Sequence, residues 1–330
     1  MTLGDNDRYL SATPSFSYFI FLDSTLLTDF LSGTLSSIFG MQLCQFFFFN
    51  LSFFGFYHLL RTANFTSTLE LKILAFSLLP SYSIWSSIAG KEAITIFITS
   101  YIAAGLIQYY NQGIKRKYLF AICCWLLLIF KPQYIPAFAI VFLILTFRRY
   151  ISQSAFMNLL LLVILSLMMI YFINIFYDKI SLFSLLIPEH FSESARLTRE
   201  NIYFREAGDV FKFRPDYWSL SFFGISFLEA KGNPVDLIFF LEGLIIFSFI
   251  FYLMIYKSRF VFSHARVGTL NFIIFIFLFG LLLIAHYPMG IMNPGSSMRY
   301  RSGFLMALIV LMAYFPALSA SPHIKDQRKI

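Results

Sequence analysis

Four short constellations carry the residue types that chemistry needs. The first opens the chain: Gly4-Asp5-Asn6-Asp7-Arg8-Tyr9 sets two carboxylates at spacing two, just ahead of an aromatic and leucine-rich stretch. Such a pair can share a divalent metal ion or place one member as a general base beside a bilayer. A solvated, frayed terminus is the alternative. The second is Pro80-Ser81-Tyr82-Ser83-Ile84-Trp85-Ser86-Ser87-Ile88-Ala89-Gly90-Lys91-Glu92, where a cation and an anion stand between two apolar segments with almost no loop. The two charges can pair with each other, or Lys91 and the serines can donate to a phosphate while Glu92 holds the lysine in place.

The third is Phe130-Lys131-Pro132-Gln133-Tyr134, a cation and a proline that break an apolar run. Its plain reading is a hairpin with a snorkelling lysine. The fourth is Asn293-Pro294-Gly295-Ser296-Ser297-Met298-Arg299-Tyr300-Arg301, at the start of the last apolar segment. Arginines two apart do not share a helical face, but at a helix entrance both can turn toward an anion, and the guanidinium fork suits phosphate. The five histidines are scattered along the chain, so a histidine-based nucleophile has no support. Cys44, Cys123 and Cys124 all lie in apolar runs and read as packing residues.

The elements that must position these groups are set by composition. Of 330 residues, 58% are hydrophobic, 20% aromatic and 13% charged, with 44 Phe, and the mean hydropathy is +0.74. That is about half the charge of a soluble domain. The expected fold is therefore all-α and polytopic, with about nine hydrophobic passages near 41–60, 73–88, 93–110, 119–131, 134–147, 155–177, 236–256, 269–287 and 302–318. Several fall short of the ~20 residues that cross a bilayer upright, which allows re-entrant ends.

The net charge of +8 is read against topology and not as a nucleic-acid footprint. With the amino terminus outside, the inside junctions hold Arg61 and Lys72, Lys115-Arg116-Lys117, Arg148 and Arg149, Lys257 with Arg259 and Arg266, and a tail with Lys325, Arg328 and Lys329. Every short inside loop is then basic, and the carboxyl terminus is cytoplasmic. The chain divides into an external acidic segment with interfacial helices (1–40), a transmembrane bundle (41–177), an external loop (178–235), a second bundle (236–318) and a basic tail (319–330). The 178–235 stretch holds eight of the 17 acidic residues. The opening residues lack the basic-then-apolar pattern of a cleavable signal peptide, and no phosphate loop, dinucleotide fingerprint, zinc pattern or internal repeat is visible.

In this orientation the acidic pair and all three cationic constellations share the outer face. Their order along the chain resembles the GT-C superfamily of polytopic glycosyltransferases, and also bacterial O-antigen and exopolysaccharide polymerases with diphosphate-linked donors. The resemblance implies an inverting sugar transfer from a polyprenyl-phosphate donor to a glycan or lipid-linked acceptor, in the bacterial inner membrane, for cell-surface glycan synthesis. It implies Asp5 or Asp7 as the base, and Lys91, Glu92, Lys131, Arg299 and Arg301 around the lipid phosphate, with a divalent metal as an open question. GT-C proteins carry a transmembrane helix before the acidic loop, whereas this chain begins at the loop: a misassigned start, a fragment, or carboxylates free at a terminus that weaken the analogy are the alternatives, and an in-frame apolar helix before Met1 would restore the expected architecture. A transporter or flippase for lipid-linked sugars is the reading from another class, and it would show paired repeats or mid-membrane charges.

Overall fold

A computed structural model describes residues 5–111, 113–147, 155–191, 199–212, 214–263 and 265–317. The Arg148 and Arg149 pair and the basic tail 319–330 lie outside the described residues. The described residues form helices and connecting turns, with no strand. The helices are α1 (Asn6–Leu10), α2 (Ser24–Phe39), α3 (Met41–Ala63), α4 (Ser67–Ser77), α5 (Pro80–Ser87), α6 (Lys91–Asn111), α7 (Lys117–Phe130), α8 (Ile135–Phe147), α9 (Ala155–Phe191), α10 (Pro215–Phe223), α11 (Phe227–Ala230), α12 (Pro234–Ser263), α13 (Ala265–Met292) and α14 (Pro294–Ala317).

Among the described residues, five helices are long and apolar enough to cross a membrane: α3, α6, the first part of α12, the second part of α13, and α14. The number rises to seven if each sharply bent pair counts as one crossing. The chain is thus a helical, multi-pass membrane protein. The structure differs from nine separate passages in identifiable places. The apolar run 73–88 belongs to two short helices, α4 and α5, parted at Leu78 and Leu79, with Pro80 starting the second. The runs 119–131 and 134–147 are a single pair bent by 118° at Lys131 and Pro132, where proline removes a helical hydrogen bond. Helix α9 continues past 177 to Phe191, so the amino-terminal part of the 178–235 stretch is helical.

The chain splits into two compact units. The first holds 1–139 and 298–310; the second holds 140–297 and 311–330. In the first unit, α3 and α6 run parallel, because Gly55 meets Phe97 while His58 stacks on Tyr101 at 4.8 Å. Gly55 permits this approach: a Cβ there would lie 2.6 Å from the Phe97 Cα. Small residues bring helix backbones together in lipid, where the hydrophobic effect between helices is lost. Polar side chains then tie each of these helices to another neighbour, with Ser52 Oγ on α3 donating to the Ser86 carbonyl on α5 at 2.6 Å and Thr99 Oγ1 on α6 to the Gly303 carbonyl on α14 at 2.6 Å. The opposite side of α3 exposes a ladder of stacked rings, Phe46, Phe49, Phe53 and Tyr57, suited to lipid.

In the second unit, α10 packs against α13 around Tyr203, Phe204, Tyr287 and Ile291. Arg199 closes the end of α13. Its Nη1 donates to the Ile291 carbonyl at 2.8 Å, its backbone N–H to the Met292 carbonyl at 2.8 Å, and its guanidinium forks onto Glu229. These bonds satisfy carbonyls that a helix end leaves without partners. Ser221 on α10 is a buried polar node: its hydroxyl donates to the Tyr287 carbonyl at 3.1 Å, and its carbonyl accepts from Ser297 and lies 3.1 Å from His286 Nε2.

Candidate functional site

The strongest concentration of buried charge in the first unit lies where one end of α6, one end of α7 and the first turns of α14 meet. Helix α14 starts at Pro294, with Asn293 Oδ1 accepting from the Ser296 N–H at 2.9 Å as an amino-terminal cap. Arg299 pairs with Glu92 near the start of α6, and Gly303 with Thr99 further along, so α14 runs parallel to α6. Helix α7 runs antiparallel to α6: Phe120 sits on Gly105, and Lys131 beyond its end reaches Glu92. Three elements distant in sequence therefore deliver charge to one end of the unit.

Glu92 is the centre. It is 2% exposed and accepts from Arg299 Nε at 2.7 Å, with Lys131 Nζ at 4.0 Å from the same oxygen. Arg299 Nη2 reaches outward to Asp5 Oδ2 at 3.4 Å. The Asp5 side chain is 47% exposed, which puts a carboxylate at the open edge of the cluster. Asp5 stands at the amino-terminal cap of α1 but makes no side-chain capping bond, so its carboxylate is committed to Arg299 instead. Aromatic rings line the group. The Arg299 guanidinium lies 5.4 Å from the Trp85 ring centre, and Lys131 Nζ lies 3.7 Å from that of Tyr300. Tyr134 donates its hydroxyl to the Tyr300 carbonyl at 3.2 Å, which ties the Lys131 turn to α14.

Lys131 does not snorkel. It is 5% exposed, and among the described residues its ammonium makes no hydrogen bond; its ion pair is long and its closest partner is a ring face. An ammonium held this way lacks the full complement of acceptors that a buried charge requires. Lys91 and Glu92 do not pair with each other, since successive residues on a helix point about 100° apart. Lys91 Nζ instead donates to Thr25 Oγ1 on α2 at 2.6 Å, beside Asp23. Arg299 and Arg301 also diverge, because α14 is already formed when they occur. Arg301 is 0% exposed and turns toward α5, with Nη2 at 3.4 Å from Ser81 Oγ. The acidic pair separates as well: Asp7 is exposed, and among the described residues its carboxylate meets only the neighbouring Asn6 amide at 3.4 Å.

Helix α2 braces the cluster from the amino-terminal side. Asp23 Oδ1 caps it, accepting from the N–H groups of Thr25 at 2.6 Å and Leu26 at 3.1 Å. The Leu26 N–H above all holds the Asp23 carboxyl below its usual range; burial opposes it, and the Thr25 N–H adds to the lowering. Asp29 on the same helix is pushed up by burial, opposed by Arg8 at 3.6 Å.

Sequence reasoning missed Tyr9, Trp85, Tyr134 and Tyr300. All four lie inside the four constellations, and for Tyr9 beside Arg8 and Tyr300 between two arginines an aromatic neighbour to a cation was the available signal. Tyr9, an aromatic in a polar opening segment, is 1% exposed with its ring along Gly90. Burial pushes its phenol up, so it stays a neutral hydroxyl. Among the described residues, no three His, Cys, Asp or Glu side chains are grouped to hold a metal ion. Comparison with family models, with curated proteins and with solved structures gives no match for this chain.

Proposed function

We propose that the protein is a membrane glycosyltransferase that moves a sugar from a polyprenyl-phosphate carrier to a glycan or lipid-linked acceptor at the outer face of a bacterial inner membrane. The observation that carries this reading is the buried Glu92–Arg299–Lys131 cluster with a half-exposed carboxylate, Asp5, at its rim. A phosphate leaving group gains negative charge as the glycosidic bond breaks, and fixed cations in a place shielded from water stabilise that charge most. In the proposed reaction an acceptor hydroxyl attacks the anomeric carbon from the face opposite the phosphate. The C–O bond to phosphate breaks with its electron pair left on the phosphate oxygen, the hydroxyl proton passes to Asp5, and the configuration inverts.

The orientation supporting this reading has the amino terminus outside and the 178–235 stretch external. Because α3 and α6 are parallel, the chain between them must return across the bilayer. Helices α4 and α5 have 11 and 8 residues, and at ~1.5 Å per residue they supply about 28 Å, close to the ~30 Å hydrocarbon thickness. The exposed Phe16, Tyr18, Phe19 and Leu22 ahead of α2 suit an interfacial segment beside the site. A polymerase with a diphosphate-linked donor is the second reading, favoured by two cations sharing the single carboxylate of Glu92.

The test separates base from scaffold. Asp5→Asn and Asp7→Asn are purified, and sugar transfer and donor binding are measured on each. Asp5→Asn is expected to lose transfer about a hundredfold or more with donor binding kept, within the usual 10²–10⁴ range for a positioned base, whereas Asp7→Asn transfers normally. Full transfer by the double variant removes the amino-terminal base from the mechanism.

A further inference from the structure

Two buried polar groups beside Glu92 lack the hydrogen bonds their chemistry calls for. One is the Tyr9 hydroxyl, which has no hydrogen-bond partner among the described residues although the residue is 1% exposed. The other is the Lys131 ammonium, whose nearest carboxylate oxygen lies at 4.0 Å and is already engaged by Arg299. They approach the same carboxylate from different elements. Tyr9 comes from α1, with Gly90 between it and Glu92: a Cβ built there would meet Glu92 Oε2 at 3.5 Å and the Tyr9 ring at 3.9 Å. Lys131 comes from the α7–α8 break, held in place by the Tyr134 bond to Tyr300. Leaving a buried hydroxyl and a buried ammonium short of acceptors is unfavourable, and Glu92, with Oε1 engaged by Arg299, gives neither of them a hydrogen bond. What they lack in common is an oxygen acceptor, and a negatively charged one satisfies both.

We propose that the Tyr9 hydroxyl and the Lys131 ammonium together hold one phosphoryl group of the lipid-linked donor, making helix α1 a wall of the donor site. This rests on the transferase reading and deepens it. It gives α1 a defined role: five residues long, docked by the buried Tyr9 and Leu10 and pinned by Arg8 to Asp29, it brings both Asp5 and Tyr9 to the cluster. One short helix thus carries the rim carboxylate and a donor to the phosphate. A neutral phenol suits the second task, since it donates without adding a charge that would hold the phosphate after transfer.

The experiment is calorimetric titration of the full chain in nanodiscs of zwitterionic lipid, with a short-chain prenyl monophosphate and, separately, inorganic phosphate. Wild type, Tyr9→Phe and Lys131→Met are compared, each with its thermal midpoint without ligand. Each variant is expected to bind prenyl phosphate about tenfold or more weakly, the usual effect of losing one hydrogen bond to a charged group. Tyr9→Phe is expected to keep or raise the ligand-free midpoint, because it deletes an unpaired buried hydroxyl; a merely structural tyrosine would lose stability and binding together. Unchanged prenyl-phosphate affinity in both variants, with transfer intact in wild type, overturns the subsite and leaves the transferase reading standing. Inorganic phosphate binding as tightly as the prenyl phosphate, with the same sensitivity to both variants, upholds the subsite and overturns the lipid carrier. Binding of neither probe to wild type overturns both.

Discussion

Replacing Glu92 by Gln keeps the size of the side chain and removes the one charge that Arg299 and Lys131 share. At 2.7 and 4.0 Å and an effective dielectric of ~20, the two attractions are about 6 and 4 kcal/mol before desolvation. Most of this offsets the burial of the ions, and breaking one side of a buried pair leaves a net loss of about 3–5 kcal/mol, because Lys131 loses its counter-charge and Arg299 keeps only the half-exposed Asp5. At about 2–4 °C per kcal/mol for a unit of this size, the apparent thermal midpoint should fall by roughly 10 °C. The assay is a melting curve in detergent at a fixed scan rate, run on Glu92→Gln, Arg299→Gln and the double variant. The double variant should be less destabilised than the sum of the singles by about 1–3 kcal/mol, the signature of direct coupling. A Glu92→Gln midpoint within about 1 °C of wild type, together with additivity within ~0.5 kcal/mol, would refute the central role given to this carboxylate.

Three further outcomes follow from other parts of the structure. The Asp23 carboxyl is held below its ordinary value of 3.8, so its contribution to α2 is fully present above that value and is lost as pH falls through the lowered one. Asparagine caps without titrating, so Asp23→Asn should flatten the stability loss seen below about pH 4, read from thermal midpoints across the acid limb. Gly55→Val places a side chain against the Phe97 backbone, where even a Cβ would approach to 2.6 Å, and should lower the midpoint by several degrees through overpacking; an unchanged midpoint would mean α3 and α6 are not in close contact. Cysteines introduced near Arg116 and near Glu200, with Cys44, Cys123 and Cys124 replaced, should label from opposite sides of the membrane; same-side labelling would invert the proposed orientation.

Much of the architecture is legible in the residues. The apolar runs that become α3, α6, α12, α13 and α14 are long, and local chemistry marks their limits: Asp23 ahead of α2, Asn293-Pro294 ahead of α14, and Lys131-Pro132 at the sharp bend. The residues of the candidate cluster are legible as types, since a cation or anion in so apolar a chain asks for a partner. Their pairing is not legible. Arg299 is 207 residues from Glu92 and 294 from Asp5, separations that no local pattern encodes. Sequence adjacency misleads in the same place: Lys91 beside Glu92, Asp5 beside Asp7, and Arg299 beside Arg301 each read as pairs, and helical geometry sends the members of each pair to different neighbours. Tyr9 escaped notice because burial of an aromatic in a polar segment depends on what docks over it.

The measurement closest to the central claim is photocrosslinking with a polyprenyl-phosphate sugar bearing a reactive group next to the phosphate, followed by peptide mapping of the full chain in nanodiscs. The account predicts that the label falls on the segments that build the cluster, 5–9, 85–92, 131–134 and 299–301, and that excess unlabelled prenyl phosphate removes it. Label concentrated on α12 and α13, or undiminished by the competitor, would contradict the assignment of this cluster as the donor site.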